Sequence, residues 1–107
     1  MITEWRKLTF SMDELAIAVL AHLQSTGKIG AKDRLGKIAI KDPETATVSV
    51  TIHRDPNGGS SELELNPETV GALMIVHCIR KKIPLPKRAK KSIAASKDAL
   101  MLIVTLD

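Results

Sequence analysis

Seven basic residues lie close together in a part of the sequence that has no acidic residue. They are Arg80, Lys81, Lys82, Lys87, Arg88, Lys90 and Lys91. With Lys97 they make eight cations between Glu68 and Asp98, whereas the other eight Lys and Arg residues stand against all twelve Asp and Glu residues. A field of one sign selects partners of the opposite sign. The sequence therefore predicts an anion-binding surface at residues 80–91.

Two kinds of macromolecular partner fit such a surface, a nucleic-acid backbone and an acidic protein, and a small phosphorylated ligand is a further alternative. The chain has one Trp, one Phe and no Tyr, so it lacks the rings on which unpaired bases stack. A nucleic acid would therefore be held by its phosphates, with steep salt dependence and little sequence preference. The alternative is that these cations only complement a helix dipole and keep the protein in solution.

No metal site, cofactor site or catalytic group is predicted. His22, His53, His77 and Cys78 are the soft ligands of the chain, and no pair of them has the spacing of Cys-x-x-Cys or His-x-x-x-His. Cys78 lies in an apolar segment, where a thiol is usually inert. We therefore expect a protein that is not an enzyme.

The remaining candidates have structural explanations. Glu62 and Glu64 are two residues apart and share the outer face of a predicted strand, where solvated carboxylates are ordinary. Gly58 and Gly59 are not followed by the lysine of a phosphate-binding loop. They complete a predicted turn at residues 55–59.

Clear boundary signals position these residues on helices and strands. Ser11 with Glu14 is a capping box, and Asn66 followed by Pro67 is a second helix start. Helices are predicted to about Ser25 and Lys82, with Gly27 at the first C-terminus. The predicted strands are Trp5–Phe10, Lys37–Lys41, Ala46–His53, Glu62–Leu65 and Leu100–Leu106.

These signals predict one α+β domain over residues 1–107. Its expected order is β-α-β-β-β-α-α-β, with a mostly antiparallel sheet of about five strands and two helices packed on one face. The extra short helix is expected at Lys87–Ala95, because Leu85, Ala89 and Ile93 recur every four residues. The three strands between the long helices form a predicted antiparallel meander.

The two strand-to-helix segments resemble each other. Aligning Leu8–Ser11 with Leu63–Asn66 also matches His22 with His77. An N-capped helix that follows a strand explains most of the matches by periodicity alone, so the sequence leaves open whether they reflect a true internal repeat.

Both long helices are apolar on more sides than a helix on a sheet requires. The last strand is also apolar almost throughout, and such surfaces are costly to expose. One explanation is that the helices pack on the sheet and on each other. The other is that their outer side contacts a second subunit, and we expect this second arrangement, a homodimer with two-fold symmetry. The interface candidates are Val19, Leu23, Met74, Leu100, Leu102 and Val104.

The single cysteine excludes an intrachain disulfide and fits a reducing compartment. No signal-peptide pattern and no membrane-spanning run is found, so a cytoplasmic location is expected. The functional hypothesis is a small, dimeric, non-catalytic binding module that contacts an anionic partner through residues 80–91. The alternative is an accessory subunit that works through its apolar helices and last strand.

Overall fold

The fold is α+β, as the sequence predicts, with six strands rather than about five. It is a computed structural model that describes residues 4–30, 32–54, 59–86 and 88–106. The elements are β1 (Glu4–Ser11), α1 (Met12–Ser25), β2 (Arg34–Asp42), β3 (Thr47–Arg54), β4 (Gly59–Leu65), α2 (Pro67–Arg80), β5 (Lys90–Ala95) and β6 (Ala99–Leu106). The predicted turn at residues 55–59 lies mostly outside the described residues.

The strands form two antiparallel sheets of three strands each, and not the predicted single sheet. One sheet has the order β1-β6-β5 and the other the order β2-β3-β4. The second is the meander predicted from consecutive strands. The first joins the two ends of the described chain, since Glu4 pairs with Leu106. Such a long-range pairing leaves no local signal in the sequence. The sequence pattern therefore predicts strands without indicating that they divide into two sheets.

The helix predicted at Lys87–Ala95 is wrong, because residues 90–95 form β5. Ile93 pairs with Leu102 of β6, and Ala95 pairs with Leu100. A spacing of four residues is ambiguous, since it fits both the 3.6-residue period of a helix and the two-residue period of a strand. Pairing with the apolar β6 decides between them.

Both long helices begin where their capping signals place them. The Ser11 Oγ accepts a hydrogen bond from the backbone N–H of Glu14 at 3.2 Å. The Asn66 Oδ1 accepts one from the backbone N–H of Thr69 at 2.8 Å. Each bond satisfies a backbone donor that the first turn of a helix leaves without a partner.

The two helices also end in the same way. After α1, Gly27 has φ +72° and the N–H of Lys28 donates to the carbonyl of Leu23 at 2.9 Å. After α2, Lys82 has φ +59° and the N–H of Ile83 donates to the carbonyl of Cys78, also at 2.9 Å. Both ends are Schellman motifs, in which a left-handed residue reverses the chain.

The described elements make two similar halves, each with the order strand, helix, strand, strand. The first strand of each half pairs with the last strand of the other half, so that β1 lies beside β6 and β4 lies beside β3. The registers correspond: the pairs Leu8–Leu102 and Phe10–Leu100 are matched by Leu63–Val50 and Leu65–Val48. The resemblance between the two strand-to-helix segments therefore extends to the topology, the caps and the strand register of the two halves.

The core lies between the helices and both sheets. Helix α1 contacts β1, β6 and β2, and α2 contacts β3, β5 and α1. Because each helix is covered from several directions, its apolar residues extend beyond one narrow stripe. Leu15, Val19, Val70 and Met74 are completely buried. Among the described residues no helix has the length and hydrophobicity needed to cross a lipid bilayer.

The pairing of Glu4 with Leu106 and that of Arg54 with Gly59 predict that a circular permutant will fold. In this variant a short Gly/Ser linker joins Asp107 to Met1, and the chain opens between Asn57 and Gly58. We expect the native circular dichroism spectrum and a free energy of unfolding within about 2 kcal/mol of the parent, because no described pairing is interrupted.

The matched control opens the chain at Leu73, inside α2, and should not fold, since that side chain is 2% exposed. Urea unfolding measures both variants. If the permutant opened between Asn57 and Gly58 is no more stable to urea than the control, the arrangement of the two halves is contradicted.

Candidate functional site

The basic residues are arranged around the end of α2 and the connection to β5. Arg80, Lys81 and Lys82 are exposed at the helix end, and Arg88 and Lys90 are exposed near the start of β5. Lys87 lies outside the described residues. Within the described chain, none of the five exposed cations forms an ion pair or a side-chain hydrogen bond.

Lys91 differs from the rest of the basic segment, because its ammonium group is used inside the fold. It is half-buried, and its Nζ donates to the carbonyls of Pro86 and Ala89, both at 3.2 Å. These bonds hold the chain in the turn that leads into β5. The predicted surface at residues 80–91 therefore has fewer available cations than the sequence suggests.

A groove between β1 and the end of α2 brings a further lysine to the basic segment. We call it the β1–α2 groove; its volume is about 340 Å³, and its lining residues are Lys7, Leu8, Thr9, Phe10, Glu14, His77, Lys81 and Ile83. Lys7 and Lys81 both line this groove although they are far apart in the sequence. The sequence alone does not reveal Lys7 as part of this surface, because its proximity to α2 depends on how β1 is placed.

An ionisable pair stands in this groove. The Nε2 of His77 lies 2.7 Å from the Oε2 of Glu14, and the His77 side chain is 7% exposed against 47% for Glu14. The Phe10 ring packs against the imidazole with its centroid 5.4 Å away and the ring planes tilted by 59°. The pair joins the last turn of α2 to the first turn of α1. Glu14 therefore has two roles: it lies in the first turn of α1, and its carboxylate contacts His77 of α2.

A histidine beside a carboxylate is also the arrangement of a general base. Among the described residues that line the groove, Thr9 is the one with a hydroxyl group. Cys78 follows His77 directly, but its side chain is completely buried and burial raises the pKa of its thiol. The pair links α1 to α2, and the thiol next to His77 lies in the core.

The remaining chemical candidates are distributed over the surface. Glu64 forms an exposed ion pair with Lys41, Nζ to Oε2 2.7 Å, and this carboxylate raises the pKa of the lysine. Glu62 accepts a hydrogen bond from Ser49 at 2.6 Å, and His53 is exposed on β3. No group of three or more His, Cys, Asp or Glu side chains within the described residues is placed to hold a metal ion.

The six apolar residues predicted for a dimer interface lie inside the chain. Val19, Leu23, Met74, Leu100, Leu102 and Val104 are between 0% and 3% exposed. They support the helices and sheets of their own fold, so an interface between copies would have to use other side chains. Among the described residues, the large apolar side chains that remain exposed are Trp5, Ile17, Val76 and Ile79.

We predict that a double-mutant cycle will detect the contact between Glu14 and His77. Glu14→Gln, His77→Gln and the double variant should give a coupling free energy of about 1 kcal/mol in urea unfolding, because one partner is buried and the other is half-exposed. Glu68→Gln serves as the control, since Glu68 occupies the first turn of α2 and is exposed. A coupling no larger than that between Glu68→Gln and His77→Gln would contradict the pair.

Cys78 should react slowly with iodoacetamide in the native protein. Its side chain is completely buried and its raised pKa leaves less thiolate at neutral pH than an ordinary cysteine has. We expect alkylation to be at least about tenfold slower than in urea, as followed by mass spectrometry. Equal rates in the native and unfolded protein would contradict this placement of Cys78.

Compared with known proteins, the chain matches no family model, no curated protein sequence and no solved structure.

Proposed function

We propose that the protein is a non-catalytic binding module that contacts an anionic partner through the basic segment 80–91. One observation carries the proposal: Arg80, Lys81, Lys82, Arg88 and Lys90 are exposed and have no carboxylate or other side-chain partner within the described residues. Cations that are already neutralised would attract a partner less strongly, and these are not neutralised by their own fold.

The position of these cations concentrates their charge. Arg80 and Lys81 come at the end of α2, and the left-handed turn at Lys82 carries the chain back toward β1. Lys7 adds a further positive charge from β1, across the β1–α2 groove. The helix dipole offsets part of this charge, because the last carbonyls of a helix carry about half a negative unit. An excess of positive charge remains around the end of α2 and the connection to β5.

A second candidate function is supported by the exposed apolar residues. Ile17 on α1 and Val76 and Ile79 on α2 are 52%, 44% and 64% exposed. We infer that, if the protein is an accessory subunit or a homodimer, this helix surface is where it associates. Size-exclusion chromatography with light scattering of the parent and of Ile17→Lys tests this second function. A monomer at high protein concentration would exclude the homodimer.

For the basic segment, we predict that replacing four of its cations will weaken anion binding. The variant carries Lys81→Gln, Lys82→Gln, Arg88→Gln and Lys90→Gln, and its probes are fluorescein-labelled poly-glutamate and mixed-sequence single-stranded DNA. We expect the parent to bind at low salt with an affinity that falls as NaCl rises, and the variant to bind at least about tenfold more weakly.

The matched control carries the same loss of charge at exposed lysines elsewhere, through Lys28→Gln, Lys32→Gln, Lys37→Gln and Lys97→Gln. Fluorescence anisotropy measures all three proteins. If the parent binds neither poly-glutamate nor single-stranded DNA at low salt, the proposed function is refuted. An equal loss in both variants would show that net charge, and not the basic segment, governs binding.

A further inference from the structure

The two similar halves of the fold create two similar grooves. The second, which we call the β4–α1 groove, has a volume of about 420 Å³. In it Leu63, Leu65 and Thr69 take the places that Leu8, Phe10 and Glu14 have in the β1–α2 groove. His22 likewise takes the place of His77. The repeated topology therefore accounts for a groove at each of these positions, and the presence of a groove does not by itself indicate a function.

Each groove follows the open edge of a strand. Strands β1 and β4 are at the edges of their sheets. Consecutive residues, Lys7–Phe10 in one groove and Leu63–Asn66 in the other, contribute to the lining. Side chains of consecutive strand residues point to opposite faces, so a groove that touches all of them runs along the strand edge. Such an edge presents backbone N–H and C=O groups that an extended peptide can pair with.

The two grooves differ in the sign of their charge. Lys7 on β1 corresponds to Glu62 on β4, and Thr9 corresponds to Glu64. The lining of the β1–α2 groove contains Lys7, Lys81 and one carboxylate, Glu14, whereas that of the β4–α1 groove contains Glu64, Glu68 and one lysine, Lys28. Cations therefore outnumber carboxylates in the first groove, and carboxylates outnumber cations in the second. This contrast indicates an acidic occupant for the edge of β1.

The β1–α2 groove also has an apolar part. Leu8, Phe10 and Ile83 line it; Phe10 belongs to the core, and Leu8 and Ile83 pack against the core. Lys7 and Thr9 alternate with Leu8 and Phe10 along β1 and are exposed on the other face of the sheet. A strand added to β1 would place its alternate side chains against these two different surfaces. A sequence that alternates acidic and apolar residues satisfies both of them.

We propose that the β1–α2 groove binds an extended, acidic segment of another protein, which pairs with β1 as a fourth strand of the β1-β6-β5 sheet. This inference rests on the proposed function and specifies it further. Lys7 neutralises the acidic side chains that share its face of the sheet, and Lys81 and Lys82 add positive charge at the end of α2. Leu8, Phe10 and Ile83 cover its apolar side chains, and the edge of β1 supplies the backbone hydrogen bonds.

The test uses an alternating Glu-Val peptide of about eight residues, the length of an ordinary strand. Two further peptides carry N-methyl groups on the glutamates or on the valines. In an added strand, alternate residues direct their N–H groups to the neighbour, so one methylated peptide should lose at least about tenfold in affinity and the other should bind nearly as the parent does. Isothermal titration calorimetry measures all three. If both methylated peptides bind equally well or equally poorly, the added strand is refuted.

The protein variant for the same test is Lys7→Glu, and Lys37→Glu is its control on β2. Both lysines are exposed on strands, and both changes alter the net charge equally. We expect Lys7→Glu to weaken peptide binding at least about tenfold and Lys37→Glu to weaken it less than threefold. Equal effects of Lys7→Glu and Lys37→Glu on peptide binding would overturn the site. The proposed function would remain in place if anion binding were still weakened by the four Gln substitutions in the basic segment.

Two other occupants are distinguished in the same experiments. Single-stranded DNA that binds more tightly than the peptide, at equal charge and salt, would overturn the choice of a protein partner. Light scattering of the protein alone tests for a second copy at this edge. Self-association that Lys7→Glu abolishes would assign the groove to another copy of the chain, and would overturn the proposal of an acidic segment from a different protein.

Discussion

The exchange of first strands between the two halves is the constraint on which the rest of the structure depends. β1 pairs with β6 along its whole length, and β4 pairs with β3 in the corresponding register. Without the exchange, each half would keep a two-stranded hairpin, which is only marginally stable in water. With it, each hairpin gains a third strand, and α1 and α2 are held between two sheets that both halves build.

This arrangement explains why the helices contain so many apolar residues. Leu15 and Val19 on α1, like Val70 and Met74 on α2, are completely buried without a second subunit. The excess of apolar residues in the sequence led to the expectation of a dimer, but the fold already covers most of them. In effect, the second half of the chain provides the cover that a second subunit would provide for a single half.

Local features of the fold could be predicted from the sequence, and long-range ones could not. The caps at Ser11 and Asn66 depend on bonds between residues three positions apart, so a short stretch of sequence is sufficient to identify them. The β2-β3-β4 meander joins consecutive strands. The β1–β6 pairing joins opposite ends of the described chain, and no property of Trp5–Phe10 specifies that partner. β5 was missed because a four-residue spacing fits a helix and a strand equally.

The same distinction applies to the candidate site. The basic segment is continuous in the sequence and could be recognised directly, although the inward bonds of Lys91 could not. Lys7 and the Glu14–His77 pair belong to the site only because β1 and α1 lie against the end of α2. The resemblance of His22 to His77 was the sequence signal closest to this result. It marked equivalent positions in two grooves, and the charges around those positions distinguish one groove from the other.

Native-state hydrogen exchange, followed by NMR across a series of low urea concentrations, tests the strand exchange most directly. Because each sheet contains strands from both halves, neither half can open without disrupting both sheets. The slowest amides of β3 and β6 should therefore exchange with one common opening free energy, equal to the free energy of global unfolding. Opening of the β2-β3-β4 sheet at a clearly lower free energy, while the β1-β6-β5 sheet stays protected, would contradict the interdependence of the halves.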